Sequence, residues 1–178
     1  MNDMSMRDDY GTLEDPTTLM IRRILPGPIS RVWSYLTDSE LRSQWLASGE
    51  MELENGADFE LTWRNDNLVD GPATPRPEDF GAEHSMKSRI VAVDPPNTLV
   101  FTWGDNGEVA FALVEKGENV LLTITHRRVA NRAMLLMVSA GWHAHLDALV
   151  AVTNGKARPD FWAHWASLKD DYDKRLPA

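Results

Sequence analysis

A change of period constrains this chain more than any other feature. Up to about residue 126 the apolar positions alternate. "TLVFTW" puts Leu99, Phe101 and Trp103 on one face, and "EVAFALVEKGENVLLTITHR" does the same with Val109, Phe111 and Leu113, then Val120, Leu122 and Ile124. From Asn131 to about Thr153 the repeat becomes helical. Alternation marks strands with one buried face, and a repeat of about 3.6 residues marks a helix with one buried stripe. A strand run followed by a segregated long helix predicts an α+β domain, with the helix laid on one face of an antiparallel sheet.

Within that helix lies "GWHAHLDALVAV", residues 141–152. On a strand, His143, His145 and Asp147 would share a face and read as a metal site. On a helix advancing ~100° per residue, Leu135, Val138, Leu146, Leu149 and Thr153 fall within about 40° of Trp142. The strand reading leaves Met134–Val138 unexplained, so the helix is preferred. The three polar residues then diverge, and neither a metal nor another cofactor is expected. Asp147 points outward, with His143 one turn earlier as a surface partner worth a few tenths of a kcal/mol, roughly. His145 lies about 60° from Trp142, at the edge of the stripe. It is either satisfied by a backbone carbonyl or turned into a cavity between helix and sheet.

The rest of the chain divides around this element. Residues 1–16 read as a polar arm, 17–155 as the domain, and 156–178 as a helical extension. Thr17–Leu25 is a strand candidate, and Pro28 suits the first turn of a helix carrying Ile29, Val32, Trp33 and Leu36. "TDSE" has the form of a capping box, with Thr37 capping a second short helix. "EMELENGADFELTW" reads as a hairpin whose loop, Glu54-Asn55-Gly56, pairs Met51 with Phe59. Residues 65–83 form a long loop, for which mobility is favoured over a lid. In the second hairpin a Lys116-Gly117 loop aligns Leu113 with Val120, Phe111 with Leu122 and Val109 with Ile124, and carries the buried face on to His126. A last amphipathic helix from about Asp160 bears Phe161, Trp165, Leu168 and Tyr172. It packs on its own domain or mediates a homodimer.

Composition narrows the function classes. The chain has 178 residues, no cysteine and a net charge of −9. Disulfides, thiolate metal sites and a cysteine nucleophile are excluded. Nucleic acid and membrane surfaces are poor partners for an acidic chain. No secretory pattern opens the sequence, which suits a cytoplasmic protein. The seven tryptophans either fill a core or wall an apolar pocket.

Three segments, "PISRVWSYLTDSELRSQWL", "VAVDPPNTLVFTW" and "GWHAHLDALV", in that order, resemble the activator of heat-shock-protein-90 ATPase homologue family. That family lies within the START-like, helix-grip superfamily, and the resemblance spans roughly Thr17 to Thr153. It implies a curved antiparallel sheet gripping a long C-terminal helix, two short helices closing one end, and a cavity between sheet and helix. Carried onto this sequence, the cavity walls include Trp63, Phe101, Trp103, Phe111, Leu122, His126, Trp142 and Leu149. Family members often have a small residue where this chain has His145. The eukaryotic activators rely on an additional N-terminal domain, for which this chain has no room, so chaperone stimulation is not carried over.

Three functions are consistent with these features. The first is non-catalytic binding of a small hydrophobic or amphipathic ligand by the aromatic-lined cavity, with His145 as a polar contact and no catalytic residue. The second is a chaperone-associated or stress-response interaction protein using the acidic surface and the tail helix. The third is a cyclase- or hydrolase-like enzyme using His126 and His145 as acid or base. Asp147 faces away in this reading, and Ser139 lacks the Gly-x-Ser-x-Gly elbow, so catalysis is the least supported.

Overall fold

The structure is a computed structural model in which residues 9–177 are described. Seven strands form one antiparallel sheet in the order β1-β2-β7-β6-β5-β4-β3. They are β1 (Thr12–Asp15), β2 (Thr18–Pro26), β3 (Asp58–Trp63), β4 (His84–Asp94), β5 (Thr98–Trp103), β6 (Gly107–Lys116) and β7 (Asn119–Arg127). Two short helices, α1 (Ile29–Thr37) and α2 (Ser39–Arg42), follow β2. The long helix α3 (Arg132–Thr153) and a second C-terminal helix, α4 (Phe161–Arg175), complete the α+β helix-grip architecture.

The period change places α3 as expected. Asn131 caps it by accepting from the Met134 N–H, and Leu135, Val138, Trp142, Leu146, Leu149 and Thr153 are all buried. By length and composition α3 could cross a bilayer, but 72% of its most apolar window is buried inside the domain. The expected outer face of α3 is also covered, by α4. His143 is therefore buried rather than on the surface, and Asp147 is only partly exposed. A helical wheel shows which residues share a face, but not how many layers pack on the helix.

Four local expectations are corrected. Residues 1–8 of the polar arm lie outside the described residues, but Thr12–Asp15 is no loose arm: it pairs antiparallel with β2. One half-buried side chain, Leu13, is too little alternation to signal a strand. Asp38, not Thr37, caps α2 by accepting from Leu41 N–H, because the chain is already extended at Asp38. The Thr37 hydroxyl instead donates to Trp33 O. The first hairpin does not form: β3 pairs with β4 instead. Its expected loop is held against β4, with Gly56 N–H donating to Ile90 O and Val93 N–H to Asn55 Oδ1. In the second hairpin the loop is Gly117-Glu118, so Leu113 pairs with Leu122, Phe111 with Ile124 and Val109 with His126. The partner moves by two residues, which preserves the strand's faces. Gly117 at φ +64 takes the position where a left-handed residue is needed.

The end of the sheet near α2 is held by a buried arginine. Arg42 is 1% exposed, and its guanidinium donates to the carbonyls of Leu36, Thr37, Ala47 and Gly49. Burial pulls its pKa down to about 10, so it remains charged at neutral pH. Only glycine suits position 49, where φ is +138 and a Cβ would lie 1.9 Å from Glu60 O. Arg42→Met leaves several buried carbonyls without a donor. It is expected to cost about 3–5 kcal/mol in urea unfolding. A loss below about 1 kcal/mol would mean that these carbonyls find other partners.

Candidate functional site: an aromatic cavity under the C-terminal helix

A cavity of about 430 Å³ opens between the ends of β3–β5, one flank of α3 and the start of α4. Five of the seven tryptophans line it: Trp63, Trp103, Trp142, Trp162 and Trp165. Phe80, Phe161, Met86, Met134 and Met137 add apolar surface. The volume is within the range of small-molecule sites, roughly 300–1,000 Å³.

The sequence-derived wall residues separate into two groups. Trp63, Trp103, Trp142 and His145 line the cavity. Phe101, Phe111, Leu122 and Leu149 do not; they belong to the packed core, each no more than 2% exposed. There the ring centroids of Phe101 and Phe111 lie 5.4 Å apart, and those of Phe111 and Trp142 lie 5.9 Å apart. Large side chains on the inward faces of β5, β6 and β7 fill the middle of the grip. The open space is displaced to one end.

His126 also lies outside the cavity lining. It sits behind two wall residues, with its ring 5.1 Å from Trp103, and its Nδ1 accepts from Trp142 Nε1–H at 3.0 Å. That bond requires a neutral ring protonated on Nε2. His145 has the opposite tautomer. Its Nδ1 lies 2.8 Å from the carbonyl oxygen of Trp45, so Nδ1 carries the proton. Burial draws the pKa of each ring down to about 4. Both are therefore neutral at pH 7, His145 despite the opposing pull of the Trp45 carbonyl.

The loop of residues 64–83 forms part of the site. It carries a single 3₁₀ turn at Asn65–Asn67 and is tied down along its length. Asp66 accepts from Trp162 Nε1–H at 2.8 Å and also pairs with Arg76. Asp70 accepts from Arg158, which holds its carboxyl down at about 2. Thr74 bonds to Asp160. Phe80 packs on Trp162 and Trp165 with centroids 5.2 and 5.3 Å away. The mobile-loop expectation gives way here to a cover fastened to α4. Sequence reasoning missed Phe80 and the α4 aromatics as wall residues. The available signal was the density of "FWAHW" at 161–165, more aromatic surface than one helix stripe needs.

Away from the cavity, α4 covers the expected i, i+4 pair His143–Asp147 and adds His164 to it. Asp147 accepts from Arg23 at 3.0 Å and lies 2.6 Å from His164 Nε2 and 3.4 Å from His143 Nε2. Burial raises the Asp147 carboxyl, but the His164 hydrogen bond and the Arg23 and His143 charges outweigh it and hold the pKa below its ordinary value. Gly11 N–H donates to Tyr172 Oη at 2.7 Å, and the same oxygen lies 2.9 Å from His143 Nδ1. His143, Asp147 and His164 offer three ligand atoms within 4.8 Å of one another, a set that could hold a cation. Each carboxylate oxygen of Asp147 already faces a ring or guanidinium nitrogen, so the arrangement is complete as a clamp joining β2, α3 and α4.

A curved sheet around a long helix, with two short helices at one end, defines a START-like helix-grip domain, a fold organised around a ligand cavity. Residues 26–154 match the family described as "Activator of Hsp90 ATPase homolog 1-like protein", and the chain belongs to that family. A Bordetella parapertussis protein solved by NMR is 38% identical, with a TM-score of 0.80 over 96% of this chain and 92% of its own. CalU16 from Micromonospora echinospora is 24% identical, with a TM-score of 0.66 over 90% of this chain and 89% of its own. DynU16, from the dynemicin biosynthetic locus, is 19% identical, with a TM-score of 0.63 over 81% of this chain and 50% of its own. The last two likenesses concern the fold alone. No curated protein matches the chain.

Proposed function

We propose that this protein binds a small hydrophobic or amphipathic ligand, without transforming it, in the cavity beneath α4. The observation that carries this reading is an open volume of about 430 Å³ walled by five tryptophans. Elsewhere the same fold packs its aromatics to closure, so this space is not a general looseness of the core. Membership of a cavity-forming family supports the same reading. An acid–base reaction using both His126 and His145 would need the two rings to share one space, and of these only His145 lines the cavity.

Gly141 provides the test. It lies on α3 and lines the cavity, and an added Cβ would meet nothing within 4 Å. Gly141→Leu therefore directs a side chain into the open space while improving helix propensity by about 0.5–1 kcal/mol. The variant is expected to melt at or above the wild-type temperature. It should also lose both the small molecule seen by native mass spectrometry of gently purified protein and the thermal shift produced by neutral aromatic probes. Wild-type protein that carries no molecule and shows no shift with any such probe would refute the proposal.

A further inference from the structure

Among the polar groups that line the proposed cavity, His145 is the one whose tautomer a backbone carbonyl determines. His145 Nδ1 is committed to the Trp45 carbonyl, 2.8 Å away. Its Nε2 has no hydrogen-bond partner among the described residues. Nor is that nitrogen among the polar atoms sealed without a partner, which are Arg23 Nε, Asn65 Oδ1, Ser88 Oγ and Ser139 Oγ. It therefore opens onto the cavity that the ring lines. With the proton held on Nδ1, Nε2 offers a lone pair and nothing to donate.

We propose that the occupant is an uncharged, ring-bearing molecule that donates a hydrogen bond to His145 Nε2 from a phenol, alcohol or N–H group, and that carboxylates are turned away. This rests on the ligand-binding reading and adds the chemical class of the ligand. The ring portion meets Trp63, Trp103, Trp142 and Phe161, whose faces accept flat apolar surface. A carboxylate has no proton to give and places its charge against the Nε2 lone pair. The ionisable groups among the described lining residues are Asp79, Glu83, His84 and His145, with no lysine or arginine to balance a carboxylate. Protonating His145 to receive an anion would set a charge on a buried ring whose Nδ1 is already committed to the Trp45 carbonyl. An apolar ether of the same shape fits but leaves the nitrogen unpaired, and a buried acceptor without a partner is costly.

Three probes of one skeleton separate these cases by calorimetry at pH 7: 2-naphthol, 2-methoxynaphthalene and 2-naphthoate. The naphthol is expected to bind about tenfold more tightly than the ether and about a hundredfold more tightly than the carboxylate. In His145→Phe the naphthol-to-ether ratio should fall to within about twofold, with the ether bound at least as well as before. Since that variant also removes the donor to Trp45 O, nitrogen NMR of the wild-type histidines gives a second measurement. His145 should be neutral and protonated on Nδ1, and its Nε2 resonance should shift on adding naphthol but not the ether. Equal binding of naphthol and ether, tighter binding of naphthoate, or an Nε2-protonated His145 would each overturn this inference while leaving ligand binding intact. Absence of binding by all three would overturn both.

Discussion

A chain ending at residue 156 is expected to lose its cooperative melt. Packing against the domain buries Phe161, Trp162, Trp165, Leu168, Tyr172 and Leu176 of the C-terminal segment, each less than 10% exposed. At roughly 1.5–3 kcal/mol per buried large apolar side chain, their removal forfeits on the order of 10 kcal/mol. That is comparable with the whole stability of an ordinary domain, roughly 5–15 kcal/mol. Truncation also strips the cover from His143 and leaves Asp147 without His164. It removes the phenol that receives Gly11 N–H, and so loosens β1 as well. The measurement is a thermal melt followed by near-ultraviolet circular dichroism, with tryptophan emission as a second signal. A broad, low-amplitude transition with red-shifted emission is expected. A sharp melt within a few degrees of the full chain would show that α4 is an appendage rather than a wall of the domain.

Acidification is expected to produce the second largest effect. In the unfolded chain a histidine titrates near 6.5, whereas burial holds His126 and His145 at about 4. Between those values the unfolded state binds more protons than the folded state. Stability is thus fully present above about pH 7 and falls as the pH drops from about 6.5 towards 4. At pH 4.5 each histidine costs roughly 2–3 kcal/mol. Geometry gives the same direction independently: His126 Nδ1 accepts from Trp142 Nε1–H, so a proton there must break the bond. The lowered carboxyls of Asp70 and Asp147 act in the same sense, but only as the pH falls through about 4 and below. Urea unfolding at pH 7.5 and 4.5 isolates the histidines. His126→Asn keeps an acceptor for Trp142 without a titrating ring, and should recover about half of the loss. A pH dependence identical in wild type and variant would show that His126 titrates normally in the folded state.

Much of the fold was legible because its signals are local. The Leu99–Phe101–Trp103 alternation, the five-turn stripe centred on Trp142 and the amphipathic start of α4 each repeat within one element. Hairpin register was less legible. Gly117 marked the second turn, but the pairing was displaced by two residues, because a glycine can occupy more than one loop position. The first hairpin was misread because Asn55 and Gly56 are turn formers in any context. Their partners, Val93 and Ile90, lie more than 30 residues away in sequence.

The candidate site was half legible, and the division follows the same physics. Trp103 and Trp142 were placed inward by strand and helix periodicity, as was His145 at the edge of the stripe, and Trp63 entered through the family resemblance. Periodicity says that a side chain leaves water; it does not say whether it meets another side chain or a void. That outcome depends on summed volumes across elements far apart in sequence. Phe101, Phe111, Leu122 and Leu149 close the centre, while Phe80 and the α4 aromatics stand off Gly141 and leave space. The tautomers of His126 and His145 likewise depend on single donors and acceptors from other elements, Trp142 and the Trp45 carbonyl. The sequence by itself determined the elements and their buried faces, because backbone geometry sets those periods within a few residues. Only the tertiary structure decided where the core fails to fill and which nitrogen faces the gap, because packing and hydrogen bonding join residues that no local period connects.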